Sequence, residues 1–146
     1  MKIRSCRKAD LAAVHALEVA VFGDHVYPDF FFRQALDLWP DSLLVAETTD
    51  GTLSGYVLGA PDQQPGVAWI LSLAVSPQAR GQGLGKRLTE QLLANFRRLG
   101  YQRVKLTVHP DNGAIGLYER LGFKTLGSES DYFGADEPRH LMALTC

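Results

Sequence analysis

The segment Trp69-Ile-Leu-Ser-Leu-Ala-Val-Ser-Pro-Gln-Ala-Arg-Gly-Gln-Gly-Leu-Gly-Lys-Arg-Leu88 decides the fold of this 146-residue chain. It begins within an apolar run, Ala68 to Val75, which is long enough for a buried strand. Pro77 ends that strand because proline has no N–H to donate to a neighbouring strand. After Gly85 the pattern predicts an amphipathic helix that ends at Gly100, with bulky apolar residues on one face up to Leu99.

The turn between this strand and this helix, Arg80-Gly-Gln-Gly-Leu-Gly85, has the composition of a phosphate-binding loop. The first N–H groups of a helix have no internal partner and carry the positive end of its dipole, and glycine lets an anion approach them. A Walker loop would require glycine at Arg80 and serine or threonine at Arg87, and a dinucleotide fingerprint would require glycine at Lys86 or Leu88. Neither fits, which leaves another phosphate motif or a tight turn without a ligand.

The composition indicates a single domain, residues 1–146, with 46% hydrophobic and 21% charged residues. A formal net charge of −1 and the absence of a basic tract argue against a nucleic-acid partner. We expect no membrane segment and no secretion signal, because no apolar run is long enough and Met1 to Arg4 leads into polar sequence. Cys6 and Cys146 have no metal-ligand spacing, so we expect no metal site and a cytoplasmic location.

Hydrophobic periodicity divides the chain into seven strands and four helices, and Asp50-Gly51 predicts a hairpin turn. The predicted strands are Lys2–Cys6, Ser42–Thr48, Leu53–Ala60, Ala68–Val75, Tyr101–His109, Phe123–Gly127 and Arg139–Leu144. The predicted helices are Asp10–Phe22, Asp29–Leu38, the helix that ends at Gly100, and Ala114–Leu121. This order predicts an α+β fold in which a mixed, mostly antiparallel sheet carries helices on both faces.

Two motifs resemble the signatures of the GNAT N-acetyltransferases, which use acetyl-CoA. The first is Arg-x-x-Gly-x-Gly at Arg80, Gly83 and Gly85, which is similar to the coenzyme A pyrophosphate loop of that family. The second is Asn112 followed by Leu117-Tyr-Glu-Arg-Leu-Gly-Phe123, which resembles the family's asparagine ahead of Leu-Tyr-x-x-x-Gly-Phe. Both motifs occur in the family's order and at its spacing, and the predicted strand order matches its fold along nearly the whole chain.

The resemblance implies which residues contact acetyl-CoA. Backbone N–H groups of the central strand hold the thioester carbonyl. Tyr118 protonates the leaving thiolate, unless it is only a core residue packed against Leu117 and Leu121. Lys86 either adds charge at the phosphates or is an ordinary solvated residue. The full set implied for the co-substrate is Leu73, Ala74, Val75, Arg80, Gly81, Gln82, Gly83, Leu84, Gly85, Lys86, Asn112 and Tyr118.

The chain departs from the family's pattern at two positions. Asn112 lies six residues before Tyr118, whereas the family's asparagine usually lies seven before, so its role shifts or the turn is shorter by one residue. Within the family the chain is most similar to the RimI-type N-terminal protein acetyltransferases, through its size and the segment from Asp131 to Met142. Those enzymes carry a glutamate base on the fifth strand, and the matching position here is Thr107, which cannot serve as a base.

An amine must be neutral to attack a thioester, so the site requires a base or a chain of water molecules. The candidates are Glu47, His109 and Asp131, although each is equally an ordinary surface or capping residue. The aromatic residues between Tyr27 and Trp39 form an apolar wall for the acceptor, or belong to the core and a lid. The residues assigned to the acceptor are Tyr27, Phe31, Asp131 and Tyr132.

The sequence therefore predicts an N-acetyltransferase that transfers the acetyl group of acetyl-CoA to a primary amine by direct attack. Neither cysteine lies in a motif for a covalent intermediate. The acceptor is a protein N-terminus or a small amine such as a polyamine, an amino acid or an aminoglycoside. The alternative from another class is a module that binds acyl-CoA without turnover, which Thr107 favours and Tyr118 opposes. We expect a monomer or a homodimer joined through an edge strand.

Overall fold

The computed structural model describes residues 1–146 and contains seven strands and four α-helices in the predicted order. The strands are β1 (Lys2–Ser5), β2 (Leu43–Glu47), β3 (Leu53–Pro61), β4 (Val67–Val75), β5 (Arg103–Val108), β6 (Lys124–Glu129) and β7 (Arg139–Thr145). The helices are α1 (Leu11–Phe22), α2 (Asp29–Leu38), α3 (Leu84–Arg98) and α4 (Ala114–Arg120). None of these helices combines the length and the apolar character that crossing a membrane requires.

The strands form one sheet in the order β1-β2-β3-β4-β5-β7-β6. Only β4 and β5 are parallel, and α3 is the crossover that a parallel pair requires. All other neighbouring strands are antiparallel. Helices α1 and α2 cover one face of the sheet, and α3 and α4 cover the other. The predicted α+β fold with a mostly antiparallel sheet is therefore confirmed.

The larger core lies between the sheet and α3, which buries Leu88, Leu92 and Phe96 there. The packing is close enough to require glycine at Gly59 of β3. A Cβ at that position would lie 2.5 Å from Phe96 Cζ and 2.9 Å from the carbonyl oxygen of Trp69. Alanine at this position would therefore force α3 or β3 to move.

The smaller core lies between the sheet and the pair α1 and α2. Phe32 of α2 is fully buried there, and its ring meets the ring of Tyr56 edge to face at a centroid distance of 5.4 Å. Side chains of β3 alternate between the two cores. Tyr56 and Leu58 face α1 and α2, and Val57 faces α3.

Strand β4 carries a bulge at Leu71. Ser72 pairs with Leu58 of β3, whereas Ile70 pairs with the next residue of β3, Gly59, so Leu71 is an extra residue in β4. The bulge turns both Leu71 and Ser72 towards α1 and α2. The even-numbered side chains of β4 therefore face α3 before the bulge, and the odd-numbered side chains face α3 after it.

Several predicted boundaries are wrong by one or two residues. Helix α3 begins at Leu84, so Gly85 lies inside its first turn rather than before it. Leu99 does not belong to the apolar face and is 49% exposed, because the helix ends at Arg98 and the chain turns at Gly100 with a φ of 91°.

The two cysteines lie far apart in the sheet. Cys6 follows β1 at one edge and Cys146 follows β7 near the other edge, and both thiols are free.

Candidate active site

The candidate site is a gap between β4 and β5. The two strands pair only as far as Ile70 and Leu106, and β4 then continues with Leu71–Val75. Beyond the last pair, the backbone of β4 on this side has no partner strand. Its N–H and C=O groups are therefore available to a ligand.

The glycine-rich loop borders this gap. Gly81 and Gly83 have φ values of 83° and 73°, in the left-handed region that favours glycine, and no atom lies within 4 Å of an added Cβ at either residue. At Gly85 the atoms nearest to an added Cβ belong to Leu117 of α4, at 3.6 Å, and Leu73 of β4, at 3.7 Å. The start of α3, the end of β4 and the helix α4 therefore converge at this loop.

The loop also has the donors and the charge that a phosphate requires. Helix α3 is 15 residues long, so the N–H groups of its first turn carry the positive end of a sizeable dipole and have no partner within the helix. Arg80 and Lys86 form none of the ion pairs of the chain. Gln82 is exposed, whereas the Leu84 side chain is buried, so Leu84 offers a ligand only its backbone. These features fit a pyrophosphate group.

Tyr118 lies on α4 between the core and solvent. It is 6% exposed, and its ring meets that of Phe123 edge to face at 5.7 Å. Its hydroxyl forms no hydrogen bond within the chain. Every fully enclosed side-chain oxygen has a hydrogen-bond partner, so the Tyr118 hydroxyl must reach solvent. Burial raises the pKa of the hydroxyl to about 12, so it stays protonated at neutral pH and can donate a hydrogen bond.

Asn112 and His109 shape the turn between β5 and α4. The Asn112 side-chain oxygen accepts a hydrogen bond of 2.8 Å from the N–H of Ala114, which caps the first turn of α4. The Nδ1 atom of His109 accepts a hydrogen bond of 3.1 Å from the N–H of Asp111. A neutral His109 therefore carries its proton on Nε2, and it must lose this bond before it can accept another proton.

Glu47 does not lie at the gap. It ends β2, which β3 separates from β4, so strand spacing alone places it about 10 Å from β4. Its Oε2 atom accepts a hydrogen bond of 2.5 Å from Arg4, which also pairs with Asp10 at 2.7 Å. The bond to Arg4 is the main reason why the pKa of Glu47 is lowered, and it makes the carboxylate a weaker base. The structure therefore argues against Glu47 as the base.

Thr107 is the residue that follows the last paired position of β5. Its neighbours Leu106 and Val108 are buried on the α3 face, so Thr107 is directed to the α1 and α2 face. A base at this position would lie beside the gap. The chain has only a hydroxyl there.

Two loops approach each other on the α1 and α2 face. The loop between α1 and α2 approaches the loop between β6 and β7 at His25 and Glu137, whose side-chain atoms are 3.9 Å apart. Tyr27 of the first loop stacks on Phe31 at a centroid distance of 4.6 Å. Tyr132 of the second loop is exposed. Burial, followed by the charge of Glu18 and then by the Tyr132 hydroxyl, raises the pKa of Tyr27. The predicted acceptor tyrosines therefore lie on facing loops.

Asp131, the remaining acceptor candidate, supports the loop in which it lies. Its Oδ1 atom accepts a hydrogen bond of 3.1 Å from the N–H of Asp136. Its backbone carbonyl accepts another, of 3.2 Å, from the N–H of Gly134. The carboxylate is thus used in a turn, and its contact with an acceptor or a proton stays a prediction.

The sequence reasoning missed Glu18. This residue of α1 is 2% exposed, and its carboxylate accepts hydrogen bonds from the Tyr56 hydroxyl and, at 2.9 Å, from the N–H of Tyr27. The Ser72 hydroxyl lies 2.7 Å from the Tyr56 hydroxyl and 3.4 Å from Glu18 Oε1. Ser72 belongs to the part of β4 that borders the gap. A chain of hydrogen bonds therefore joins the gap to a buried carboxylate.

A signal for Glu18 is present in the sequence. The residue lies four positions after Val14 and three before Val21, which places it within the apolar stripe of α1. A carboxylate in such a stripe predicts a buried group with hydrogen-bond partners. The partners themselves, Tyr56 and Ser72, lie 38 and 54 residues away along the chain, so no local pattern indicates them.

Comparison with known families decides the identity of this fold and loop. The pattern of the Acetyltransferase (GNAT) family matches residues 11–123, which include the glycine-rich loop, Asn112 and Tyr118. The chain belongs to the GNAT acetyltransferase family. The resemblance drawn from the two motifs is confirmed, and this GNAT protein is an acetyl-CoA-dependent N-acetyltransferase.

The names of the relatives of this GNAT acetyltransferase specify different acceptor molecules. A mycothiol acetyltransferase from Salinispora arenicola is 37% identical over 131 residues, which cover 80% of this chain but 42% of that protein. The N-alpha-acetyltransferase daf-31 from Caenorhabditis elegans is 29% identical over 148 residues, covering 97% of this chain and 81% of that protein. The crystal structure of the ribosomal-protein-S18-alanine N-acetyltransferase from Escherichia coli superposes with a TM-score of 0.82 at 25% identity, covering 99% and 92%.

Proposed function

We propose that this acetyltransferase acetylates the N-terminal α-amine of a protein or peptide. The observation that carries the proposal is that two carboxylates of the loop between β6 and β7 are already engaged. Glu137 lies 3.4 Å from Arg139, and Asp131 supports its own turn. A polyamine or an aminoglycoside presents several positive charges and requires free carboxylates. A peptide N-terminus presents a single ammonium group.

The walls of the acceptor side are aromatic, which suits a peptide. Tyr27 and Phe31 form one wall. Tyr132 and Phe133 of the facing loop meet edge to face at 4.7 Å, and the guanidinium of Arg139 lies 4.9 Å from the centre of the Phe133 ring. Aromatic walls with few polar groups bind side chains of mixed type that follow the reacting amine.

The relatives support both the proposal and its alternative. The names of the C. elegans relative and of the E. coli structure specify an N-alpha-acetyltransferase and an alanine N-acetyltransferase of a ribosomal protein, and this chain matches most of the length of each. The mycothiol acetyltransferase favours the alternative, a small-molecule amine, through its higher identity of 37% over a shorter part of its own length.

The co-substrate is held mainly by backbone in this proposal. Acetyl-CoA supplies a thioester whose carbonyl carbon the amine attacks directly. N–H groups between Leu73 and Val75 hold the carbonyl oxygen, and comparable donors contribute about 3–4 kcal/mol each where measured. Tyr118 donates a hydrogen bond towards the leaving sulfur. The phosphates contact the loop residues Arg80, Gly81, Gln82, Gly83, Leu84, Gly85 and Lys86.

The release of free thiol from acetyl-CoA tests the proposal. One panel contains short peptides that differ in their first residue, each paired with a copy that carries an acetylated N-terminus and an internal lysine. The other panel contains spermidine, cysteine and an aminoglycoside. We expect release with peptides that have a free N-terminus, and mass spectrometry should place the acetyl group on the α-amine. Release with the small amines alone would overturn the peptide acceptor and support the alternative.

Location and assembly stay predictions within this proposal. The cytoplasm is the expected compartment of an enzyme that meets newly made protein N-termini and acetyl-CoA. A homodimer would form through an edge of the sheet, and β6 is an edge strand that is exposed along its whole length. Sedimentation at several protein concentrations distinguishes the dimer from the monomer.

A further inference from the structure

We propose that Ser72, Tyr56 and Glu18 form a proton relay that accepts a proton from the acceptor ammonium, with Ser72 as the group that contacts the amine. The inference rests on the proposed function only in requiring an amine acceptor, so it applies equally to a peptide α-amine and to a small amine. It assigns Glu18 as the base, because the residue of the fifth strand beside the gap, Thr107, cannot accept a proton from an ammonium group.

The hydrogen bonds of the relay have a defined direction. The Tyr56 hydroxyl donates to Glu18 Oε1, so it must accept from Ser72, whose oxygen lies 2.7 Å away. The Ser72 oxygen then has lone pairs free to accept an N–H of an ammonium group. Burial, followed by the charge of Glu18, raises the pKa of Tyr56, so this hydroxyl conducts a proton without becoming a stable phenolate.

The position of Ser72 connects the relay to the reaction. Ser72 is partly exposed, whereas Tyr56 and Glu18 are buried, so only the outer end of the relay is accessible. The bulge at Leu71 turns Ser72 to the acceptor side. Ser72 also directly precedes Leu73, whose N–H belongs to the proposed carbonyl site, and consecutive Cα atoms lie about 3.8 Å apart. The relay therefore ends next to the place where the amine attacks.

The charge of Glu18 is not balanced by any cation of the chain. None of the ion pairs includes it. Its hydrogen-bond donors are the Tyr56 hydroxyl and the N–H of Tyr27, and the Ser72 oxygen lies 3.4 Å from Oε1. A buried carboxylate without a counter-charge is unfavourable. An ammonium group at Ser72 supplies that charge, and transfer of its proton neutralises the carboxylate.

The proton step is balanced. The ammonium gives a proton to Ser72 as Ser72 passes its own proton to Tyr56 and Tyr56 passes its proton to Glu18. The ammonium becomes a neutral amine with a free lone pair, Glu18 becomes a neutral acid, and both hydroxyls are regenerated. After the product leaves, the proton returns to solvent through the same groups in reverse.

Three conservative variants test the relay: Glu18→Gln, Tyr56→Phe and Ser72→Ala. The glutamine keeps an oxygen for the N–H of Tyr27 but cannot take up a proton, so it separates the base role from support of the loop. Matched controls are Tyr101→Phe, on the α3 face, and Ser54→Ala, a buried serine of β3 outside the relay. We expect Glu18→Gln to lower kcat by about 100-fold or more, with acetyl-CoA affinity and the melting temperature close to those of the native protein.

A second acceptor makes the test specific for proton transfer. A peptide whose N-terminal amine is replaced by an aminooxy group presents a nitrogen that is already neutral at the assay pH, so it needs no base before it attacks. The relay predicts that Glu18→Gln loses far less activity with this acceptor than with an ammonium, and that the double variant Glu18→Gln/Tyr56→Phe is no slower than the slower single variant. An equal loss with both acceptors, or native activity of Glu18→Gln, would overturn the relay.

The pH profile gives an independent result. Without the relay, the plateau of kcat/KM should move to higher pH and follow the ionisation of the amine itself, which lies near 7.7–8.0 for an α-amine. The other titratable groups near Glu18 are the hydroxyls of Tyr27 and Tyr56 and, one turn earlier on α1, His15, which contacts Phe32. His15→Gln is therefore included, and a shift in that variant in place of Glu18→Gln would contradict the proposal.

The test runs with either acceptor class. If spermidine or cysteine is the substrate and peptides are not, the proposed function fails while the relay is tested unchanged with that small amine. If peptides react and Glu18→Gln retains native kcat, the relay fails while the proposed function stands.

Discussion

The two faces of the sheet share the same strands but bury different kinds of group. The α3 face has 18 core residues and, among these, only Tyr118 is titratable. The α1 and α2 face has 10, and its carboxylate Glu18 is buried against Tyr56 and Ser72. The face proposed for the co-substrate is therefore built from apolar packing and free backbone groups, and the face proposed for the acceptor also buries a hydrogen-bonded carboxylate. Substitutions on the two faces should change different properties.

Among substitutions outside the relay, Tyr118→Phe should have the largest effect, and it tests whether the α3 face contributes a side chain to the chemistry. We expect kcat to fall about 100-fold, because the substitution removes the hydroxyl that the proposed function assigns as the donor to the leaving sulfur. The affinity for acetyl-CoA, measured by calorimetry, should change little, since the ring still packs against Phe123. Native turnover would mean that this face contributes only packing and backbone.

Gly59→Ala tests how tightly the α3 face is packed, through its effect on stability. The added methyl group would lie 2.5 Å from Phe96 Cζ and 2.9 Å from a backbone oxygen, so we expect a loss of about 1–3 kcal/mol in the free energy of unfolding. Urea denaturation measures the loss. Gly127→Ala in β6 is the control, because no atom lies within 4 Å of an added Cβ there. Similar stability of the two variants would show that α3 is free to shift.

Asp10→Asn should have the smallest effect and tests the ion pairs that border the α1 and α2 face. The bond to Arg4 lowers the pKa of Asp10 from its ordinary 3.8, so the folded state favours the carboxylate. This stabilisation is present above the unfolded pKa and disappears as pH falls through the folded pKa. We expect a loss of about 1 kcal/mol at neutral pH that vanishes in acid. Asp111→Asn, at an exposed carboxylate, is the control, and a loss independent of pH would contradict the ion-pair explanation.

Local signals in the sequence predicted much of the fold, and they carry the residues proposed for the co-substrate. The bounds of α2 were predicted without error, because Pro28 and Trp39-Pro40 mark both ends. The turn at Asp50-Gly51 was predicted from that dipeptide, and Gly51 has the positive φ that the turn requires. The glycine-rich loop is also a local motif. In each case the residues that determine the structure are neighbours in the sequence.

The acceptor side could not be predicted in the same way because its interactions join distant residues. Glu47 was a candidate base until the pairing of β1 with β2 placed Arg4 beside it, 43 residues away in sequence. The bulge at Leu71 has no glycine or proline to mark it, since it depends on the register between β3 and β4. The hydrogen bonds of Glu18 depend on that register as well.

The extra residue at Leu71 changes which residues of β4 face each side of the sheet. Before it, the even-numbered Ala68 and Ile70 face α3, and after it the odd-numbered Leu73 and Val75 do. One strand can therefore line a core with its first half and present a hydroxyl to the opposite side with its second half. Deletion of Leu71 would restore a single phase and leave Ser72 on the α1 and α2 face, whereas a strand that kept Leu71 without the bulge would turn Ser72 into the apolar core under α3. Any redesign of this pocket must treat the two halves of β4 as separately phased segments.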